Sequence, residues 1–183
     1  MSNFLADIRE SAGQIKQVRS ITGGAMLTAI NIILNGMRII VSSFLEISFA
    51  FLAIAAAGML YGPVMAGIIG VLADTLGFFL SPANGAFFPG FTLSAFLSGF
   101  VFGLFFYKKK ITLKRVIAAS IVHMVLFNFI LTPIWLNIMY GSVLMSSARI
   151  IKSIACFPID TALLYLVCKT VETIKLKSNV FNN

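Results

Sequence analysis

Charged side chains are scarce in this sequence. Asp, Glu, Lys and Arg make up 11% of its 183 residues, whereas a soluble domain carries roughly 25%. Hydrophobic residues account for 59% of the chain, and the mean hydropathy is +0.98. So few charges cannot cover the surface of a water-soluble domain. We therefore infer that the lipid bilayer is the solvent of this protein.

Acidic residues are the scarcest charged group. The chain has six of them against 14 Lys and Arg, which gives a net charge of +8. In a soluble protein this excess would suggest nucleic-acid binding. In a membrane protein it is typical of loops that set the orientation of the chain, and we expect no nucleic-acid partner.

Sequence motifs for catalysis and metal binding are absent. The chain has no G-x-x-x-x-G-K-[ST] phosphate loop, no zincin motif and no nucleophile elbow. Its two cysteines, Cys156 and Cys168, lie about 18 Å apart along one predicted helix, too far to form a disulfide. We expect no catalytic residue, metal or cofactor. Transport would draw its energy from a partner or an ion gradient.

Six apolar runs come close to the ~20 residues that cross a bilayer. They lie at 22–40, 44–61, 63–80, 91–107, 115–133 and 144–168. The sequence therefore predicts an all-α protein with a six-helix transmembrane domain at 20–170. An amphipathic or flexible segment at 1–19 would precede this domain, and a cytoplasmic tail at 171–183 would follow it.

Basic residues predict the orientation of the six spans. Three clusters fall on one side, and the positive-inside rule makes that side and both termini cytoplasmic. The clusters are Arg9, Lys16 and Arg19; Lys108, Lys109, Lys110, Lys114 and Arg115; and Lys169, Lys175 and Lys177. Arg38, Arg149 and Lys152 fall instead at external span ends, where the rule gives no reason for them.

These three stray cations predict an external pocket. Arg149, Lys152, Cys156 and Asp160 follow helical spacing on one face of the last span. Cations bind carboxylates and aromatic rings stack on rings, which together favour an aromatic anion as ligand. The candidate ligand contacts are Asn35, Arg38, Asp74, Phe88, Trp135, Asn137, Tyr140, Arg149 and Lys152. The alternative is that Arg149 and Lys152 extend to the lipid headgroups within an interfacial aromatic belt.

Small residues predict where helices pack closely. Spans three and four carry rows of them, namely Ala66, Gly70, Ala73 and Gly77, then Ala95, Gly99 and Gly103. In span one, Ala25 and Ala29 form a strip on a different side from Asn31, Asn35 and Arg38.

The sequence resembles the substrate-binding S components of energy-coupling factor (ECF) vitamin transporters, specifically the folate subfamily. The resemblance covers about residues 20–170. It is most specific in "FFPGFTLSAFLSG" and in "RIIK" with "FPID", and "GAMLTAINIILNGMRI" and "IWLNIMYG" also carry it. The family pattern has an Asn-Thr pair before the Trp segment, where this chain has Thr132 and Pro133.

The resemblance implies a multi-pass protein of a bacterial cell membrane that binds folate externally. It further implies docking on a membrane scaffold subunit with two ATPases, and Ala25 and Ala29 match the strip that contacts the scaffold. In such a site the folate carboxylates would be bound by Arg38, Arg149 and Lys152. The rings of folate would be covered by Phe88, Trp135 and Tyr140. The amino edge of the pterin would donate hydrogen bonds to Asp74 or Asn35.

Three other functions remain open from the residues. An S component for a different vitamin would share the architecture and differ only in pocket side chains. An ion-coupled transporter or channel would use Asp74, His123 and Asp160 as a proton path. An intramembrane enzyme is the third, but the chain offers no nucleophile or metal set for it.

Overall fold

The computed structural model of the chain describes residues 2–37, 39–42, 45–80, 87–140 and 147–181. Within these ranges the regular secondary structure is helical except for one short β-hairpin. The elements in chain order are α1 Ser2–Gln14, α2 Val18–Gly36, β1 Ile39–Ser42, β2 Leu45–Ile47, α3 Ala50–Leu80, α4 Pro89–Phe106, α5 Leu113–His123, a π-helical segment Met124–Leu131, α6 Thr132–Tyr140 and α7 Ser147–Phe181.

Helix α3 contains a sharp turn that divides it into two halves. Gly62 has φ +83°, a left-handed conformation that favours glycine because it has no β-carbon. Pro63 follows at the first position of the second half, where its missing N–H costs nothing. The predicted boundary between spans two and three lies at this turn.

The two halves of α3 run back along α2 in opposite directions. The Asn31 side chain donates a hydrogen bond to the Ala50 carbonyl at 2.6 Å, and a β-carbon added at Gly77 would lie 4.0 Å from Ile32. The start and the end of α3 therefore lie at the same level of the bundle. Counted with this reversal and without α1, the described residues contain the six predicted helices.

Three helical segments of the described chain are long and apolar enough to cross a membrane by length and composition. They are Ala50–Leu80, Pro89–Phe106 and Leu113–Met139. The last one shows that α5, the π-helical segment and α6 together form the fifth predicted span. Helix α7 passes through Pro158 without ending and continues to Phe181, beyond residue 170, where the predicted membrane domain ends.

The β-hairpin was not predicted. Its antiparallel strands pair Ile39 with Ile47 and Ile40 with Glu46, and β-branched side chains favour such a pleated surface. Predicted spans one and two reached into this region because hydropathy alone does not distinguish a short apolar strand from the end of a helix. In the structure α2 ends at Gly36 and α3 begins at Ala50.

Helices α3 and α4 pack through small residues, as predicted. A β-carbon added at Gly99 would lie 2.3 Å from the Ala66 carbonyl oxygen, and one at Gly70 would lie 2.5 Å from the Ala95 carbonyl oxygen. Both distances are far below van der Waals contact. The two backbones approach this closely because glycine stands at these positions, which is the packing that small residues allow in lipid.

Helix α1 docks on the turn of α3 and on the end of α4. Ser11 is fully buried, and its hydroxyl donates to the Tyr61 carbonyl at 2.8 Å. The Tyr107 hydroxyl donates to Glu10 at 3.2 Å and accepts from Gln14 at 3.1 Å. The N-terminal segment is therefore a packed helix over Ser2–Gln14.

Candidate functional site

A cavity of about 270 Å³ lies between α3, α4, α5, the π-helical segment and α7. Both polar and apolar side chains line it. The lining residues are Ser48, Phe51, Phe102, Ser120, His123, Met124, Asn128, Ser153, Cys156, Phe157, Asp160 and Leu164.

The cavity lies toward the end of the bundle that carries the β-hairpin. Ser48 follows β2 directly, Phe51 is in the first turn of α3, and Ser153 is in the second turn of α7. At the other end the cavity reaches Phe102 and Leu164, which are buried in the core. The predicted orientation would make the hairpin end external.

Polar side chains line this cavity within an apolar bundle. The Asn128 amide donates to the Ser153 hydroxyl at 3.3 Å, and His123 Nε2 lies 3.0 Å from the Ser98 hydroxyl. Asp160 adds a carboxyl group to the wall. Polar and ionisable groups at this depth are costly, and they typically mark a ligand site or a pathway.

Stacked aromatic rings lie beside the cavity, and two of them, Phe102 and His123, line it. The His123 ring lies between Phe102 and Phe127, with centroid distances of 4.8 Å and 4.6 Å. Phe106 extends the column beyond Phe102 at 6.0 Å. Because one face of His123 packs on each phenylalanine and Nε2 meets Ser98, the imidazole is held in a fixed orientation.

The π-helical segment, Met124–Leu131, interrupts the fifth span beside the cavity. Such wide turns are rare and are frequently found at functional sites. Two residues of this segment, Met124 and Asn128, line the cavity. The wider turn changes the direction in which the following side chains project.

Two predicted ring contacts, Phe88 and Trp135, lie together. Their ring centroids are 5.7 Å apart, and the Trp135 indole N–H donates to the Ser94 hydroxyl at 2.8 Å. Both rings cover Gly90, where an added β-carbon would lie 2.3 Å from Phe88 and 2.6 Å from Trp135. They form an aromatic pair above the start of α4, separate from the lining of the cavity.

Three other predicted contacts do not line the cavity. Asp74 accepts a hydrogen bond from the Thr92 hydroxyl at 2.7 Å, between α3 and α4. Asn35 is half-buried near the end of α2, and Asn137 is exposed on α6. Of the three residues of the predicted proton path, His123 and Asp160 line the cavity and Asp74 does not.

The predicted cationic contacts are only partly described. Arg38 lies outside the described residues, as do the side chains of Tyr140, Arg149 and Lys152. The backbones of Arg149 and Lys152 belong to the first two turns of α7. Cys156 and Asp160, which share their predicted helical face, both line the cavity.

Most of the polar lining of the cavity was not predicted. Ser120, Asn128 and Ser153 were not among the predicted contacts, although each is a polar residue within an apolar span. The signal was their spacing, because Ser120, His123 and Asn128 recur on one side of the fifth span. Polar residues with that periodicity inside a membrane helix indicate a face that points into the bundle.

Sequence comparison shows the family. Residues 19–173 match the family described as "ECF transporter, substrate-specific component". The chain belongs to the substrate-specific components of ECF transporters. This S component is therefore a membrane protein and part of a transporter.

Named relatives of this S component are folate transporters. It is 35% identical over 168 residues to "Folate transporter FolT" of Clostridium novyi (strain NT), which covers 91% of this chain and 97% of the relative. It is 30% identical over 152 residues to "Folate transporter FolT" of Leuconostoc mesenteroides subsp. mesenteroides, with 78% and 80% covered.

A solved structure shares the fold of this S component. It is described as "Crystal structure of FolT bound with folic acid", and it is 40% identical with a TM-score of 0.76. The match covers 83% of this chain and 92% of that chain. The predicted S-component fold is therefore confirmed.

Ala25 and Ala29 of this S component both lie on the exposed face of α2. Met26 and Ile33 on the same helix are 69% and 61% exposed, whereas Asn31 is buried and bonded to α3. The predicted separation of the alanine strip from Asn31 is thus present. The exposed side is apolar and carries small residues, as helix–helix interfaces in lipid do.

Proposed function

We propose that this S component captures folate on the external side of a bacterial cell membrane. The observation that carries the proposal is the cavity of about 270 Å³, with its polar lining, at the hairpin end of the bundle. Two relatives named as folate transporters and a 40% identical structure described with folic acid support the choice of ligand.

The pterin ring of folate fits the chemistry of the cavity. One edge of the ring carries an amino group and a ring N–H, and a carboxylate accepts two parallel N–H donors well. Asp160 would provide that carboxylate, and Asn128 and Ser153 would provide further hydrogen bonds. The edges of the His123 and Phe102 rings would contact the pterin, because the faces of these two rings pack on each other and on Phe127 and Phe106. This assignment replaces Asp74 and Asn35 as acceptors for the pterin.

The glutamate part of folate carries two carboxylates, which cations on the outer rim would bind. Arg149 lies about one turn before Ser153, the first cavity-lining residue of α7, and Lys152 directly precedes Ser153. Arg38 follows α2 in the sequence. Phe88 and Trp135, which pack on each other at 5.7 Å, would cover the aminobenzoyl ring from the loop side, together with Tyr140 and Asn137.

Uptake would require partners, because this chain carries no phosphate loop for ATP. A membrane scaffold subunit would contact the exposed strip of Ala25 and Ala29, and two ATPase subunits would supply the energy. Both termini would be cytoplasmic. Folate binding should then proceed without ATP, whereas uptake should not.

Titration of purified protein with folate tests the ligand directly. Trp135 is the only tryptophan, so its fluorescence reports on the aromatic pair alone. We expect folate to quench the Trp135 fluorescence in a saturable manner. The Asp160→Asn variant should require more folate to reach the same quenching. Because folate absorbs ultraviolet light, the same titration with free tryptophan in place of protein provides the correction.

A second vitamin is the main alternative outcome. If riboflavin or thiamin saturates the protein and folate does not, the S-component function stands and folate is the wrong ligand. If no vitamin binds while protons drive a current across proteoliposomes, the substrate-capture proposal itself is wrong.

A further inference from the structure

A second cavity lies at the opposite end of the bundle, where α4 ends and α5 begins. Its volume is about 210 Å³, and Met59 and the fully buried Phe106 form its apolar part. Its remaining lining is charged, with four lysines and one glutamate, namely Lys108, Lys109, Lys110, Lys175 and Glu172.

The glutamate of this cavity is engaged by its own partners. One oxygen of Glu172 accepts from the Ile111 N–H at 3.1 Å, and the other pairs with Lys169 at 2.8 Å. Lys169, the Ile111 N–H and the nearby charge of Lys110 hold the pKa of Glu172 below its usual range. Glu172 therefore stays ionised, but it offsets only one of the positive charges.

Two of the four lysines also have partners. Lys108 pairs with Glu10 of α1 at 2.6 Å, and Lys109 donates to the Leu104 carbonyl at the end of α4 at 2.6 Å. Within the described part of the chain, no carboxylate lies within 4.0 Å of the ammonium of Lys110 or Lys175. These two ammonium groups leave the cavity with a positive surplus.

The cavity lies at the level of lipid headgroups. Phe106 is the last residue of an apolar helix of 18 residues, and the lysine run begins two residues later. The end of such a span lies at the boundary between hydrocarbon and headgroup. An apolar floor with a cationic rim at this boundary suits a phospholipid, because the glycerol region contacts Met59 and Phe106 while the phosphate meets the ammonium groups.

We propose that this cavity binds the headgroup of an anionic phospholipid, with Lys110 and Lys175 holding the phosphate. Basic pockets between membrane helices on the cytoplasmic side commonly bind anionic headgroups. A lipid is favoured over a soluble anion because phosphate groups are concentrated at this depth and because Met59 and Phe106 give the cavity an apolar part. The proposal is independent of folate binding, which uses the opposite end of the bundle.

Native mass spectrometry with added lipid tests the site. The protein is released from detergent in the presence of phosphatidylglycerol or phosphatidylcholine, and the retained lipid is counted. We expect phosphatidylglycerol to be retained preferentially, and a K110Q/K175Q variant to retain it roughly ten- to thirty-fold less. The control variant K16Q/R19Q removes the same charge from exposed positions and should retain the lipid normally.

Three outcomes would overturn the proposal. An equal loss of retained phosphatidylglycerol in K110Q/K175Q and K16Q/R19Q would show that the lipid is held by diffuse electrostatic attraction and not by a site. Equal retention of both lipids would show that charge plays no part. Displacement of the lipid by millimolar inorganic phosphate would show a site for a free anion. If K110Q/K175Q does not fold, a K110R/K175R variant is used instead, because it keeps both positive charges. We expect this variant to retain the lipid and to bind folate normally.

Discussion

The hydroxyl group of Ser11 donates a hydrogen bond to the carbonyl of Tyr61 at 2.8 Å. The same oxygen accepts from the N–H groups of Val64 and Met65 at 3.1 Å and 3.3 Å. One side chain of α1 thus satisfies the last carbonyl before the turn of α3 and two N–H groups after it. It acts as a helix cap supplied by another helix.

A Ser11→Ala substitution should therefore destabilise the protein. It leaves three backbone groups at a buried turn without their partner, and unpaired buried groups cost about 1–3 kcal/mol. We expect a lower thermal unfolding temperature in detergent. The matched control is Gly13→Ala in the same helix, where an added β-carbon meets nothing within 4 Å. An unchanged unfolding temperature for Ser11→Ala would show that α1 does not support the turn.

A Gly99→Ala substitution should disrupt the contact between α3 and α4. The new methyl group would lie 2.3 Å from the Ala66 carbonyl, so the helices must separate, and overpacking of this kind costs about 1–3 kcal/mol. The control is Gly36→Ala, which has open space around it. Equal unfolding temperatures for the two variants would contradict the close packing.

Asp160 and Asp74 provide a matched pair for the ligand site. Each is an acid inside an apolar span, but only Asp160 lines the cavity, whereas Asp74 accepts from Thr92. Asp160→Asn should weaken folate binding about tenfold to a hundredfold, since a hydrogen bond to a charged group contributes about 1.5–3 kcal/mol. Asp74→Asn should leave affinity within a factor of about three. The reverse pattern in calorimetric titration would place the ligand elsewhere.

Arg149 should matter for the carboxylates of folate and not for its ring. An Arg149→Gln variant is expected to lose about 2 kcal/mol or more of folate affinity, if the charge is buried against the ligand. Its affinity for pterin alone, which has no carboxylate, should not change. Lys114→Gln, an exposed change at the other end of the bundle, is the control. Equal losses for folate and pterin would assign Arg149 a structural role.

The alanine strip on α2 should serve complex formation only. Replacing Ala25 and Ala29 with leucine puts bulk on an exposed helix face, so folding and folate binding should persist. Copurification with the scaffold and ATPase subunits should be lost, because small residues allow close helix contact in lipid. The idea fails if the complex still forms, or if folate binding disappears as well.

Much of the fold could be predicted because hydropathy and turn residues are local signals. The Gly62-Pro63 turn and the small residues of α3 and α4 were visible in the sequence, and the structure confirms the role of both. The β-hairpin was missed, since Ile39–Ser42 is as apolar as the helix before it. The extent of α7 was also missed, because charged and polar residues interrupt the apolar ones after 170 and hydropathy does not report a helix outside the membrane.

The lining of the cavity was less accessible to sequence reasoning. Asp74 was selected and does not line the cavity, while Ser120, Asn128 and Ser153 line it and were not selected. The side chains of the three predicted cations lie outside the described residues, so their ligand contacts stay a prediction. Whether a polar side chain lines a cavity depends on how the helices rotate against each other. Asp160 lines the cavity and Asp74 lies between α3 and α4, although both are single acids in apolar spans.

The sequence by itself determined that this chain lies in a membrane, the approximate positions of its apolar spans, and which helices approach closely. These properties follow from composition, hydropathy and glycine spacing, which can be read from neighbouring residues in the sequence. Only the tertiary structure decided which polar groups share one cavity, that α1 closes the turn of α3, and that lysines from two segments meet around Phe106. Those contacts join residues far apart in sequence, and their positions depend on the packing of all the helices at once.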